Sequence, residues 1–332
     1  MDAFQFHQPS TLAEAILAGS RSSTSQQGAE VRFVAGGTNL IDMMKLNVER
    51  PRQVVDINRL PLTKVTPASG GGLMIGALTR NSEIAHHPVV MRDYAVLSQA
   101  LLSGASPQLR NMATTGGNLL QRTRCVYFRD TAHACNKREP GSGCSAIDGH
   151  NRMLAILGTS GHCIATNPSD QNIALTVLEA TIQLTGAKGL RTIPIHDFFL
   201  EPGSTPQREN LLEPGDIITS VTLPPVATGT KQVYLKLRDR EAYEFALASA
   251  AVVIKLNGRK IERVRIGLGG VGTKPWRSVE AEKALEGKTI EAGLFRQAAE
   301  AALANAKPAT ENGYKVELSK RCLVRALSQS IA

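Results

Sequence analysis

Two short glycine turns do most to limit the folds open to this chain. VRFVA (31–35) reads as a strand, GGTN (36–39) as a tight turn, LIDMMKLN (40–47) as a helix and QVVDI (53–57) as the next strand. So compact a β–turn–α–β unit predicts a small α/β layer. The turn recurs in ATTGGNLLQ (113–121). Neither copy has the GxGxxG spacing of a Rossmann dinucleotide site. Both can still take an anion, because glycine lets backbone N–H groups approach it closely. Thr38 and Asn39 add donors to the first turn, and the hydroxyls of Thr114 and Thr115 to the second. Two such turns on neighbouring units would grip a pyrophosphate from both sides. Two ordinary strand-to-helix turns would read the same way.

Around these turns the chain divides into many short elements. Thr11 and Glu14 form a capping-box pattern before AEAILAG. PASGGG (67–72) suggests a joint between subdomains, and a second α/β stretch starts at LMIGALT (73–79). Asn81 is placed to cap the next helix, and 89–103 keeps helical period. MLAILG (153–158) reads as a strand, NPSD (167–170) opens a helix, and LLEPGDIITSVTLP (211–224) is turn plus strand. Beyond PPVATGTK (224–231) the pattern changes. VYLKLR, ALASAAVVIKL and RVRIGLGGV read as antiparallel strands, followed by amphipathic helices near 290–306 and 316–329. This puts a domain boundary near 226. With 332 residues and 42% hydrophobic content, two or three cores are affordable.

No apolar run reaches membrane-spanning length. The first residues lack the basic and apolar regions of a signal peptide, which leads us to expect folding in the cytoplasm. The net charge of +9 suits an anionic cofactor, an acidic partner or nucleic acid, and equally a solvated basic surface.

Four of the five cysteines are concentrated as Cys125-x9-Cys135-x8-Cys144-x18-Cys163. In a reducing compartment such a group favours metal or redox chemistry over disulfides. No gap is as short as the paired spacing of most zinc sites, yet spacing leaves zinc and iron–sulfur both open. Arg122, Arg124, Arg129, Lys137 and Arg138 outnumber Asp130 and Glu139 here, a positive excess that would offset thiolates. The turn PGSG (140–143) can offer N–H groups to sulfur. With so few apolar residues, the segment would owe its fold to whatever its cysteines hold. Cys322 stands apart in a helix and reads as a packed core thiol.

VAGGTNLIDMMK, GASPQLRNMATTGGNL, NPSD, LEPGDIITSVTLP, YLKLRDREAYEFALAS and LGGVGTKPWR occur in this order. Together they resemble the FAD-binding medium subunit of the xanthine dehydrogenase, or molybdenum hydroxylase, family over nearly the whole chain. The cysteine segment is similar to the [4Fe–4S] insertion in flavin subunits of 4-hydroxybenzoyl-CoA reductase and of periplasmic aldehyde oxidoreductase, closest to the latter. The resemblance implies an α+β protein. A two-subdomain α/β FAD-binding domain, like that of vanillyl-alcohol oxidase, would occupy 1–226, with subdomains of about 1–66 and 67–226 and the insertion at 121–165. A C-terminal α+β domain like that of the CO dehydrogenase flavoprotein, with antiparallel sheet and helices, would occupy 227–332.

It also implies roles. Val34, Ala35, Gly36, Gly37, Thr38, Asn39 and Leu40 would hold the FAD pyrophosphate. Thr114, Gly117 and Asn118 would make a second phosphate and ribose contact. Asp170 would bond the adenosine ribose, Ile218 would lie against the adenine end, and Lys236 would reach the flavin side. Cys125, Cys135, Cys144 and Cys163 would ligate the cluster. The partners would be a small [2Fe–2S] subunit and a large molybdenum-cofactor subunit that oxidises the substrate. No substrate acid–base set is visible in this chain. Electrons would pass from the partner clusters through FAD to an external acceptor, and a signal-bearing partner would carry the chain if it is exported. Two other readings are weighed against this. A stand-alone flavoenzyme of the same FAD fold would not need the insertion or the C-terminal blocks. A zinc-ordered basic nucleic-acid module would explain the charge and the cysteines, but not the paired glycine turns, and it lacks interleaved aromatics.

Overall fold

The computed structural model describes all 332 residues as three β-sheets with helices packed on and between them. The first sheet is parallel, with β1 (Gln5–His7), β2 (Val31–Val34) and β3 (Gln53–Asp56) in the order β1–β3–β2. Helices α1 (Leu12–Gly19) and α2 (Leu40–Lys45) lie between its strands in the chain. Thr11 accepts from the N–H of Glu14, and the Glu14 carboxylate takes the N–H of Thr11, so the expected capping box starts α1.

The second sheet is antiparallel: β4 (Val65–Pro67), β5 (Leu73–Gly76), β6 (Thr181–Gly186), β7 (Gly189–Pro194) and β8 (Ile217–Leu223), ordered β4–β5–β8–β6–β7. Between β5 and β6 run α3 (Asn81–Ala85), α4 (Pro88–Asp93), α5 (Ala95–Ser103), α6 (Pro107–Met112), α7 (Thr115–Leu119), α8 (Val126–Arg129) and α9 (Asp170–Val177). A short α10 (Ile195–Phe198) follows β7.

Several local expectations change here. The glycine-rich 67–72 stretch is the β4–β5 hairpin turn, closed by the Ala68 N–H to Gly72 O, with Gly71 at φ +83°. Asn81 is the first residue of α3 and not its cap; Glu83 reaches back to the Arg80 N–H instead. The helical stretch 89–103 breaks at Tyr94. The Tyr94 hydroxyl donates to Pro224 O, while Gln232 accepts from the Val96 N–H and donates to Asp93 O. A side chain distant in sequence thus satisfies backbone groups that an unbroken helix would pair internally. Residues 153–158 form no strand. Leu157 makes one isolated bridge to Gly272, and Ile156 and Leu157 plug into the core of the C-terminal unit.

That unit holds the third sheet, again antiparallel: β9 (Lys231–Leu237), β10 (Ala248–Asn257), β11 (Lys260–Gly269) and β12 (Trp276–Arg277) in the order β12–β11–β10–β9. Helices α11 (Val279–Leu285), absent from the sequence reading, α12 (Leu294–Leu303) and α13 (Tyr314–Ile331) pack with it, and Cys322 of α13 is buried in their shared core, as expected. From the second unit, α5 and α9 press against the same sheet. Glycine makes the α9 contact close: a Cβ at Gly267 would come within 2.9 Å of Val177. The start of α9 is tied to β9 by Asp170, which accepts from Tyr234 and Lys236.

Candidate functional site

A cavity of about 460 Å³ lies where the three units meet. Its wall includes the loop from Val34 to Leu40, the turn around Thr114, Gly117 and Asn118, and Asp170, Ile218 and Lys236. All thirteen residues singled out for FAD therefore face one space.

The two turns are unlike in what they offer. The backbone N–H groups of Gly36, Gly37, Thr38, Asn39 and Leu40 have no acceptor within the protein. Gly37 is left-handed at φ +72°, a conformation glycine takes without strain. Successive free N–H groups on such a loop make an anion nest. The second turn spends its backbone donors within the protein, on itself and on residues 77 and 79. Thr114 caps α7 by accepting from the Gly117 N–H at 3.1 Å. Thr115 donates to Thr79 O, and the N–H groups of Thr115, Gly116 and Asn118 are also paired. Of the two hydroxyls expected as donors there, that of Thr115 goes to Thr79 O, while that of Thr114 accepts from Gly117 and donates to no group of the protein. The two turns touch directly, since a Cβ on Gly36 would stand 2.0 Å from Met112 O.

Opposite lies a polar group that the sequence does not reveal. Lys236 donates to Asp170 at 2.8 Å and to Ser103 O at 3.2 Å. Tyr234, two residues earlier on the same strand face, donates to the other Asp170 oxygen at 2.5 Å. Burial, aided by the Asp170 carboxylate, pushes the Tyr234 phenol well above its usual range, so it stays a donor. The ion pair puts Asp170 and Lys236 side by side on one part of the cavity wall. Ser169, not Asp170, caps α9. Ile218 lines the cavity and also belongs to the core of the second unit.

Three further donors in the cavity lining are buried without hydrogen-bond partners: Asn39 Nδ2, Arg122 Nη2 and Arg124 Nε. Native proteins leave few such groups unpaired, so a ligand rich in acceptors fits here. A dinucleotide with a pyrophosphate meets that description.

The four cysteines, all free, line a second, small and mostly apolar cavity. Its walls form a core of their own, with Phe128, Leu154 and Ile164 packed on Met43 and Val48, so the segment does not depend on its cysteines alone. Cys135 and Cys144 face each other in an isolated antiparallel bridge. Burial pushes Cys125 up to about 12, partly offset by backbone N–H groups of Phe128 and Tyr127. Burial likewise raises Cys144 and Cys163, offset by N–H groups of Ala146, Ile147 and Ile164 for Cys144, and by Lys137 and the Ala165 N–H for Cys163. The N–H groups come from these segments. In the PGSG turn, the Gly143 N–H goes to Asn136 Oδ1 and the Ser142 N–H to Glu139 O. No group of three or more His, Cys, Asp or Glu side chains is arranged around a single metal-ion position.

Most of the positive excess around the cysteines is already paired. Arg124 and Arg129 bind Asp42 of α2, and Arg138 donates to Tyr127 O and Phe128 O. Arg122 binds Glu49 and Glu209, and Lys137 binds Glu209 at 2.9 Å. Sequence reasoning missed Glu49 and Glu209. They stand 160 residues apart and carry no local signal.

Residues 2–226 match the family described as FAD binding domain in molybdopterin dehydrogenase, and 233–330 the CO dehydrogenase flavoprotein C-terminal domain. The chain is 47% identical over 335 residues to the aldehyde oxidoreductase FAD-binding subunit PaoB of Escherichia coli (strain K12), covering 100% of this chain and 99% of that one. It is 29% identical to the carbon monoxide dehydrogenase medium chain of Hydrogenophaga pseudoflava, covering 99% and 97%. A solved carbon monoxide dehydrogenase structure from Hydrogenophaga pseudoflava superposes with a TM-score of 0.77 at 27% identity, covering 99% of this chain and 98% of that one.

Proposed function

Because the chain belongs to the FAD-binding subunits of the molybdenum hydroxylases, an oxidoreductase family, we propose that it is the FAD- and [4Fe–4S]-carrying electron-transfer subunit of a molybdenum-dependent aldehyde oxidoreductase. The observation that carries the flavin half is the cavity between the turns, with five consecutive backbone N–H groups unspent on its wall. Those groups would hold the pyrophosphate, while Asn39, Arg122 and Arg124 bring unused donors to the rest of the ligand. FAD, when bound, couples one-electron centres to a two-electron acceptor. The protein's own part is to seat it at the junction of three units and keep the Asp170–Lys236 pair dry against it.

The cysteine half rests on the donor set. Four thiols line one apolar cavity, and N–H groups reach at least three of them, as suits sulfurs that carry negative charge once metal is bound. The relatives' names, FAD-binding subunit and medium chain, support assembly with a small [2Fe–2S] chain and a large molybdenum-cofactor chain that oxidises the aldehyde. No helix is long and apolar enough to cross a membrane. The test is the purified chain's absorbance and metal content. The reading expects flavin bands over a broad iron–sulfur shoulder, with roughly four irons per FAD. A colourless protein holding one zinc would refute it.

A further inference from the structure

A line of five charged side chains runs from the flavin cavity to the cysteine cavity. Arg32 binds Glu49 through Nε at 3.0 Å and Nη2 at 2.9 Å. The same carboxylate takes Arg122 Nη1 at 2.5 Å. Arg122 then pairs with Glu209, whose other oxygen accepts from Lys137 Nζ at 2.9 Å. Arg32, Glu49, Arg122 and Glu209 all line the flavin cavity, and Lys137 lines the cysteine cavity. Glu49 is 3% exposed and Arg122 13%, so water screens the line poorly. Three cations against two carboxylates leave one net positive charge on it.

Glu209 is the hinge of this arrangement. Its backbone N–H is held by Gln26 Oε1 at 3.1 Å, and Gln26 is itself tied to Asn210 and Leu212 O. Lys137 has one further acceptor, Pro206 O at 2.9 Å. With Glu209 fixed in place, the Lys137 ammonium is kept beside the thiols and out of solvent. Burial would push the Glu209 carboxyl up, but Arg122 and Lys137 more than offset this and keep it below its usual range.

We propose that Glu209 is a positioning residue shared by both redox sites: it seats Lys137 at the cysteine centre and completes the charged wall of the flavin cavity, so each centre feels a change of charge at the other. This rests on the iron–sulfur reading above. It goes beyond that reading in making the two centres electrostatically interdependent through named residues.

The experiment measures the reduction potentials of the flavin and of the [4Fe–4S] centre in the assembled oxidoreductase, by potentiometric titration followed optically and by EPR. Iron and FAD contents are measured alongside. Lys137→Met removes one positive charge and is expected to move both potentials negative. Glu209→Gln removes one negative charge and is expected to move both positive. The double variant restores the net charge and should return both towards wild type. Glu209→Asp should lie closer to wild type than Glu209→Gln. Should Lys137→Met lose iron, Lys137→Gln replaces it, and Glu209→Gln, which lies outside the insertion, still reads both potentials. Lys137→Met moving the cluster potential alone, with contents unchanged, would overturn the proposal. A wild-type protein that holds no iron would overturn the iron–sulfur reading instead. The flavin potential in the same variants would then decide whether the charged line reaches the flavin.

Discussion

Gly36→Ala is the sharpest test of how the flavin cavity is shaped. Gly36 is not in a left-handed conformation, so alanine would suffer no backbone strain there. The obstacle is space. The new Cβ would sit 2.0 Å from Met112 O and 2.7 Å from Met112 C. That is roughly 1.5 Å inside an ordinary van der Waals separation. The obstructing atom is a backbone carbonyl, and it already accepts from Arg80 Nη1 at 2.5 Å, so it cannot swing aside freely. The relief must come from parting the two turns. Overpacking of this kind costs about 1–3 kcal/mol. If most of it falls on the holo form, FAD affinity drops by about 5- to 150-fold. The assay is titration of apoprotein with FAD, followed by flavin fluorescence, with thermal unfolding of the apoprotein run in parallel. Gly70→Ala serves as the control, since nothing lies within 4 Å of its Cβ. Wild-type FAD affinity together with a wild-type Tm in Gly36→Ala would refute the claim that this close approach sets the cavity.

Cys135→Ser should lose iron while retaining FAD, measured as metal-to-flavin ratio, because the core around the cysteines shares only Met43 with the flavin cavity wall. Tyr234→Phe removes a 2.5 Å donor from the partly buried Asp170 and should cost about 1–3 kcal/mol of stability, read by urea unfolding. Lys315 is fully buried and donates to Met153 O, Leu154 O and Gly270 O, with burial and then Arg152 pushing it down to about 7. Its folded value lies below the unfolded one, so between about 7 and 10.5 the unfolded chain binds the extra proton. Stability from this group therefore rises with pH across that window and is lost as pH falls through 7. Lys315→Met should flatten that slope in urea unfolding at pH 7 and 9.5, and a slope equal to wild type would count against the assignment.

The sequence carries the β–turn–α units, the change of pattern near 226 and the glycine loop legibly, because each is written in neighbouring residues. The Thr11–Glu14 cap and the antiparallel run from β9 to β11 are local in the same way. What it hides is set by partners far along the chain. The break at Tyr94 depends on Gln232, and the failure of 153–158 to form a strand reflects its capture by the C-terminal core. Thr115 looks like a free donor until Thr79 O folds against it, and Thr114 turns out to accept from the Gly117 N–H. The cysteines could be grouped by proximity in sequence. Their N–H donors, and the Glu209–Lys137 pair beside them, could not.

The exit of the cysteine segment is fastened to the far end of the chain. Asn151, fully buried, donates to Gly149 O and Thr310 Oγ1, both at 3.0 Å, and accepts from the Glu311 N–H. Asn312, equally buried, donates to Leu154 O and Ala155 O. The bonds to Thr310, Glu311 and Asn312 join residues about 160 positions apart, which fixes a calendar for biosynthesis. While the ribosome is still making the last helix, the cysteine pocket lacks its final fastening and its thiols stay within reach of small reagents in solution. Once residues 309–315 dock, the door closes. Nascent chains arrested before 309 should therefore react with a thiol reagent at these cysteines far faster than the finished protein, and equal rates would show that the pocket closes without its last clasp.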